Sequence, residues 1–316
     1  MSASAPSERP SSAPSFRASF LAPKYWPTWI GLGLFYGLSW MPAKLLNWLA
    51  KTLAATLLMR NRKRLHIARM NLSLCFPDKS SNEITRMVQG LFTAQARAII
   101  EYPFLWWRSR RSLEKRFDVI GLEQLEDTDD RGQNAIILLC HSASIDVAVS
   151  ALSMRLTAAG PYKPARNQVV DWMIAKGRRR FGTITYARED GLRPLIKSIR
   201  SGRVLIYAAD EDLGVISKCV FAPFFSVPKA TVPVLGRMAK STHATVFTCI
   251  SYYDFDRSRY VVRVLAPIQG LTGSDDEADA HAMNASIEEA VRHCPDQYLW
   301  TLRLFQTRPD GEPSVY

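Results

Sequence analysis

The sequence predicts an α/β fold: a mostly parallel or mixed central sheet flanked by helices, preceded by an N-terminal membrane-anchoring helical segment. Three observations carry that expectation. Short continuous apolar runs, residues 135–140 the clearest, have the length and composition of strands buried on both faces. Between them, apolar residues recur every three or four positions, as in helices packed on a sheet. A charge-free run, residues 25–41, sits inside the most basic part of the chain. Hydrophobic residues make up 47% of the 316 and charged ones 22%, enough to bury a sizeable core and too apolar for global disorder.

The elements follow in order. Residues 1–24, rich in Ser, Pro and Ala, read as a disordered polar tail. Residues 25–70 read as a membrane anchor followed by a basic interfacial helix. The run 25–41 carries Trp26, Trp29, Tyr36 and Trp40 near its ends, where aromatic rings favour the headgroup boundary. At 17 residues it is short against the ~20 that usually span a bilayer, so spanning once, hairpinning and lying flat all stay open. Over 43–59, Leu45, Leu46, Leu49, Leu53 and Leu57 share one helical face, with Lys44 and Lys51 on the other.

Lys and Arg total 41 against 29 Asp and Glu, and from Arg9 to Pro77 the chain has no acidic residue at all. The cluster 60–69 (RNRKRLHIAR) is read as contacting anionic lipid on the cytoplasmic side of a membrane. A nucleic-acid partner is not expected, since no groove-reading module is evident. The five cysteines form no CxxC pair, which excludes a disulfide framework and a zinc ribbon.

From residue 71 to 316 the pattern is that of an α/β domain. Helices are expected over 81–107, 146–156, 192–200, 232–240 and 278–293, and strands over 135–140, 182–187, 204–208, 244–250 and 259–265. Residues 123–130 read as an acidic loop.

The chemistry is sought where a buried strand ends, because open α/β sheets bind ligands at that edge. Directly after the 135–140 run stand His141 and, five positions on, Asp146, with Ser144 as a candidate helix N-cap between them. If His141 stays in the turn and Asp146 opens the helix, the carboxylate can orient the imidazole, which can then take a proton from an alcohol. The alternative is a structural turn in which Asp146 only favours the helix N-terminus.

Three later blocks complete a pattern: Gly182 to Arg188; Asp210, Asp212 and Gly214; and Phe225, Pro228 and Thr231. With His141–Asp146 as a His-x4-Asp motif, and with the C-terminal run 295–314, they resemble the lipid A biosynthesis acyltransferases over almost the whole chain. These lauroyl and myristoyl transferases belong to the wider glycerolipid and lysophospholipid acyltransferase superfamily. Thr185 departs from the pattern where an aromatic residue is common.

The resemblance implies that 71–316 is an acyltransferase domain. It would move a fatty acyl chain from an acyl carrier protein thioester to a hydroxyl of a lipid A precursor of the Kdo-lipid IVA type. His141 would act as general base and Asp146 would orient it, with no covalent intermediate, metal or cofactor beyond the phosphopantetheine that carries the donor. It implies an enzyme of the bacterial inner membrane, held by a single N-terminal anchor with its active site on the cytoplasmic side.

Both substrates then carry phosphate, which makes Arg188 the first candidate for a phosphate clamp, with Arg178 and Arg180 behind it. Asp210 and Asp212 would support those arginines or touch substrate, and Thr231 is carried over as substrate-binding. Phe221, Phe224 and Phe225 would line an acyl-chain pocket or pack in the core. Arg108, Arg110, Arg111, Lys163 and Arg166 would dock the acidic carrier protein. Two rival readings remain: a glycerol-phosphate or lysophospholipid acyltransferase with the same His–Asp chemistry, and a non-catalytic basic membrane adaptor.

Overall fold

The computed structural model describes residues 14–214 and 218–316. Of the tail expected over 1–24, residues 1–13 lie outside that range. The rest carries two 3-10 turns, and Phe20 is buried against the rings of Tyr25 and Trp172, so aromatic packing ties this stretch down.

Helices α1 (Trp26–Leu38), α2 (Ala43–Arg60) and α3 (Arg62–Cys75) come first. Long α4 (Ser81–Trp107), opened by a Ser80–Glu83 capping box, is followed by α5 (Arg110–Glu114), β1 (Phe117–Ile120) and α6 (Glu123–Asp130). Then come β2 (Ala135–Leu139), α7 (Ile145–Ser153), β3 (Ala158–Tyr162), α8 (Gln168–Arg178), β4 (Ile184–Ala187), α9 (Arg193–Arg200) and β5 (Val204–Tyr207). A hairpin of β6 (Val220–Phe224) and β7 (Val227–Thr231) precedes α10 (Val234–Thr242), β8 (Thr245–Asp254), β9 (Arg259–Pro267) and α11 (Asp276–Arg292).

Seven strands form one mixed sheet in the order β1-β9-β8-β2-β5-β3-β4, parallel throughout except for the β8–β9 pair. Alternate residues of β2 enter opposite cores, as its unbroken burial requires. Ile136 and Leu138 face a layer built from α2, α3, α4, α9, α10 and α11, whereas Ala135, Ile137 and Leu139 face α7 and the end of α4. The chain leaves β2 for α7 on one face, and leaves β5, its neighbour, for α10 on the other. A crevice therefore opens between the carboxyl ends of these two strands.

The expected anchor is a pair of short helices. α1 has 13 residues and α2 has 18 with Lys44 and Lys51 among them; among the described residues no helix is long and apolar enough to cross a membrane. Leu46, Ala50 and Ala54 bury one stripe of α2 against α4, while Trp26, Ile30, Leu34, Trp40 and Trp48 stay exposed on the outside. The stretch expected as an acidic loop is α6: Leu125 is fully buried, and Glu123 and Glu126 in its first turn suit the positive end of a helix.

Candidate active site

His141 leaves β2 in a turn stitched to the C-terminal segment. Its carbonyl accepts the Leu299 N–H at 2.8 Å, and Ala143 N–H donates to the Gln297 carbonyl at 2.8 Å. Asp210 leaves β5 at the same height. The parallel register pairs Leu138 with Tyr207, and three residues beyond that pair on each stretch of chain the two functional side chains stand side by side.

Asp210 is fully buried and holds His141 at two points. Its Oδ2 accepts the His141 backbone N–H at 2.8 Å and the Tyr298 hydroxyl at 2.8 Å, while Oδ1 contacts Nδ1 of the ring. A carboxylate there requires a proton on Nδ1, which leaves Nε2 as the nitrogen facing the cavity. Nε2 lies 3.4 Å from Oε1 of Glu211, whose Oε2 is 3.7 Å from Arg188. Burial pulls the His141 pKa down, but Asp210 and then Glu211 reverse this against the opposing charge of Arg188, leaving it above the ordinary histidine value. The same pair holds the Asp210 carboxyl below its ordinary value despite burial.

Asp146 does not orient His141. It opens α7 as expected, yet its Oδ1 accepts from Arg178 Nε at 2.6 Å and its other oxygen takes the Tyr102 hydroxyl. Burial raises the Asp146 carboxyl, and Arg178 more than compensates, so it stays ionised. The reason is directional: the first turn of α7 faces α8 and α4, which supply Arg178 and Tyr102. Ser144 is the N-cap, but its hydroxyl bonds Ser251 and caps nothing.

His141, Asp146, Arg178, Arg188, Glu211 and Tyr102 all line one cavity of about 590 Å³. Its apolar wall is aliphatic, with Ile145, Val149, Leu195, Leu213 and Val234. The phenylalanines proposed for that wall lie elsewhere. Phe224 and Phe225 pack on Tyr298 and Trp300 in the core, and Phe221 is 40% exposed on the outer face of β6.

The other expected residues also have structural partners. Arg180 donates to the Leu105 carbonyl. Asp212 accepts from Thr307 N–H, its hydroxyl and Gly214 N–H, closing its own turn. Thr231 is buried against Asn284. Sequence reasoning missed Tyr102, Glu211, Tyr298 and Lys229. Lys229 is fully buried with no hydrogen-bond partner for its ammonium among the described residues; burial lowers its pKa, and Asp210 and Asp212 counteract.

A histidine pinned by a buried carboxylate, its second nitrogen facing a cavity with one aliphatic wall, can remove a proton from a hydroxyl beside a hydrocarbon chain. That defines the class: an α/β protein with an acid–base centre in a cavity that has a charged side and an aliphatic side. Residues 13–307 match the family model described as bacterial lipid A biosynthesis acyltransferase. The chain is 33% identical to a lipid A biosynthesis acyltransferase of Haemophilus influenzae, over 94% of this chain and 93% of the relative. It is 33% identical to the Escherichia coli lipid A biosynthesis myristoyltransferase, over 96% and 94%, and 30% identical to the lauroyltransferase of the same organism, over 96% and 99%. The chain belongs to the lipid A biosynthesis acyltransferases and is an acyltransferase.

Proposed function

We propose that this enzyme transfers a fatty acyl chain from an acyl carrier protein thioester to a hydroxyl of a Kdo-lipid IVA-type precursor, with His141 as general base held by Asp210. The observation that carries this reading is the double hold of Asp210 on the backbone and ring of His141, with Nε2 left towards the cavity.

The acceptor hydroxyl displaces Glu211 from Nε2 and gives its proton to that nitrogen as its oxygen attacks the thioester carbonyl. Asp210 stabilises the resulting imidazolium. The oxyanion forms on the Arg178 side of the cavity, where Asp146 and Tyr102 hold the guanidinium in place. The carbon–sulfur bond then breaks and the thiolate takes the proton back from His141. Atoms and charge balance without a covalent enzyme intermediate. Asp146 of the His-x4-Asp motif thereby acts through Arg178.

Lys163 and Arg188, both on the cavity wall, suit the phosphodiester of the phosphopantetheine arm. The exposed aromatic and aliphatic side chains of α1 and α2, followed by the basic start of α3, suit a cytoplasmic membrane surface with the acyl cavity behind it. Transfer assayed with acyl carrier protein donors and a lipid A precursor tests the proposal. His141→Ala is expected to lose ~10²–10⁴-fold in kcat while remaining folded. Turnover within tenfold of the wild type would reject the general base.

A further inference from the structure

A second cavity, of about 370 Å³, lies on the far side of Glu211. Three distant stretches build it: Lys63 and Arg64 at the start of α3, Glu211 and Asp212 after β5, and Thr301 to Arg303 near the C-terminus. Glu211 lines both cavities, so the two adjoin at that side chain.

The charges here are unequally committed. Asp212 spends its oxygens on Thr307 and Gly214, and Glu211 faces His141 and Arg188. Lys63 and Arg64 enter no ion pair among the described residues, and Arg303 reaches only Gln306, at 3.5 Å. Three uncommitted cations around a concavity favour an anion with more than one charge, and a phosphomonoester carries about −1.5 to −2 at neutral pH, more than the single charge of a phosphodiester. Position favours the same ligand. The cavity begins directly after α2, whose exposed Trp48 and Met59 mark an apolar outer surface, so it lies where the headgroup of a lipid embedded there would sit.

We propose that the cavity formed by Lys63, Arg64 and Arg303 binds a phosphate group on the acceptor sugar while a hydroxyl of that sugar reaches His141. This rests on the acceptor being a phosphorylated lipid A precursor. The phosphodiester of the donor is the other source of the same chemistry, and Lys163 and Arg188 already face it on the opposite side of Glu211.

The test is steady-state kinetics of the full chain, varying donor and acceptor separately. Lys63→Ala/Arg64→Ala/Arg303→Ala is expected to raise KM for the phosphorylated acceptor by tenfold or more, with kcat and donor KM within about twofold. Arg303→Ala alone, outside the basic run, is expected to raise the same KM about fivefold, which separates the site from bulk attraction to membranes. Removing the acceptor phosphate should raise the wild-type KM by a similar factor and leave the triple variant without further loss. A rise confined to donor KM, or no change in either, overturns the proposal. Should the protein transfer nothing to any lipid A precursor, the proposed function fails separately. Calorimetric binding of glucosamine 1-phosphate then decides the site: weakening by fivefold or more in the triple variant supports it, and equal binding overturns it.

Discussion

The loops that leave β2 and β5 start from adjacent parallel strands and end in the same cavity, but they are built differently. The 140–146 loop is tied down by backbone bonds to residues 297–299, and its carboxylate, Asp146, turns towards α4 and α8. The 207–214 loop contributes side chains instead: Asp210 reaches across to His141, and Asp212 fastens the loop to Thr307. The first loop is set by its backbone, and the second both helps to place the imidazole and fixes its tautomer. Chemical partnership in this sheet follows strand adjacency, and the carboxylate nearest in the chain serves a second pair.

That division of labour can be broken at several points. The largest effect is expected from Asp210→Asn. It preserves shape, removes the charge that demands a proton on Nδ1 and lets the amide favour the wrong tautomer, so kcat should fall by ~10²–10⁴-fold. Because Asp210 is the chief influence raising the His141 pKa, the acid limb of the residual pH–rate profile should also move to lower pH. An unmoved limb would mean that Asp210 is not the partner.

Asp146→Ala is expected to act mainly on stability. It strands the largely buried Arg178 guanidinium and should cost about 3 kcal/mol in denaturant unfolding. The activity that remains should keep the wild-type pH midpoint; a shift as large as that of Asp210→Asn would restore Asp146 as the imidazole partner. The smallest effect is expected from Glu211→Gln. Loss of its charge lowers the His141 pKa, so more of the base is neutral at low pH, and the acid limb should move down by less than in Asp210→Asn. A shift to higher pH would contradict the 3.4 Å contact.

Much of the fold was legible. Residues 135–139 of the 135–140 run are β2, all five buried, and the helical periodicity of 81–107 is α4 from end to end. What escaped was short or carried the wrong local signals. β3 reads Ala-Ala-Gly-Pro-Tyr, which looks like a turn, yet Gly160 belongs in a strand because a Cβ there would lie 2.7 Å from the Ile206 carbonyl oxygen. By composition the phenylalanines around 221–225 suit a hydrocarbon slot or the core. In the fold β6 and β7 pair as a separate hairpin that seats Phe224 and Phe225 on Trp300, and the cavity wall falls to aliphatic residues scattered from 145 to 234.

The sequence alone determined that a buried strand ends in a histidine, that an α/β domain follows an apolar, basic N-terminal region, and to which family the motifs point. These are local properties, set by composition and by spacings of a few residues. Tertiary structure decided which carboxylate meets His141, that Asp146 holds Arg178, and that Lys63 and Arg303 flank one cavity. Those pairings depend on which strands are neighbours and on the register between them. Asp210 stands 69 residues from His141 and meets it only because β2 and β5 run side by side with that same offset. No short-range pattern encodes such an offset, since strand order follows from burying both faces of the whole sheet at once.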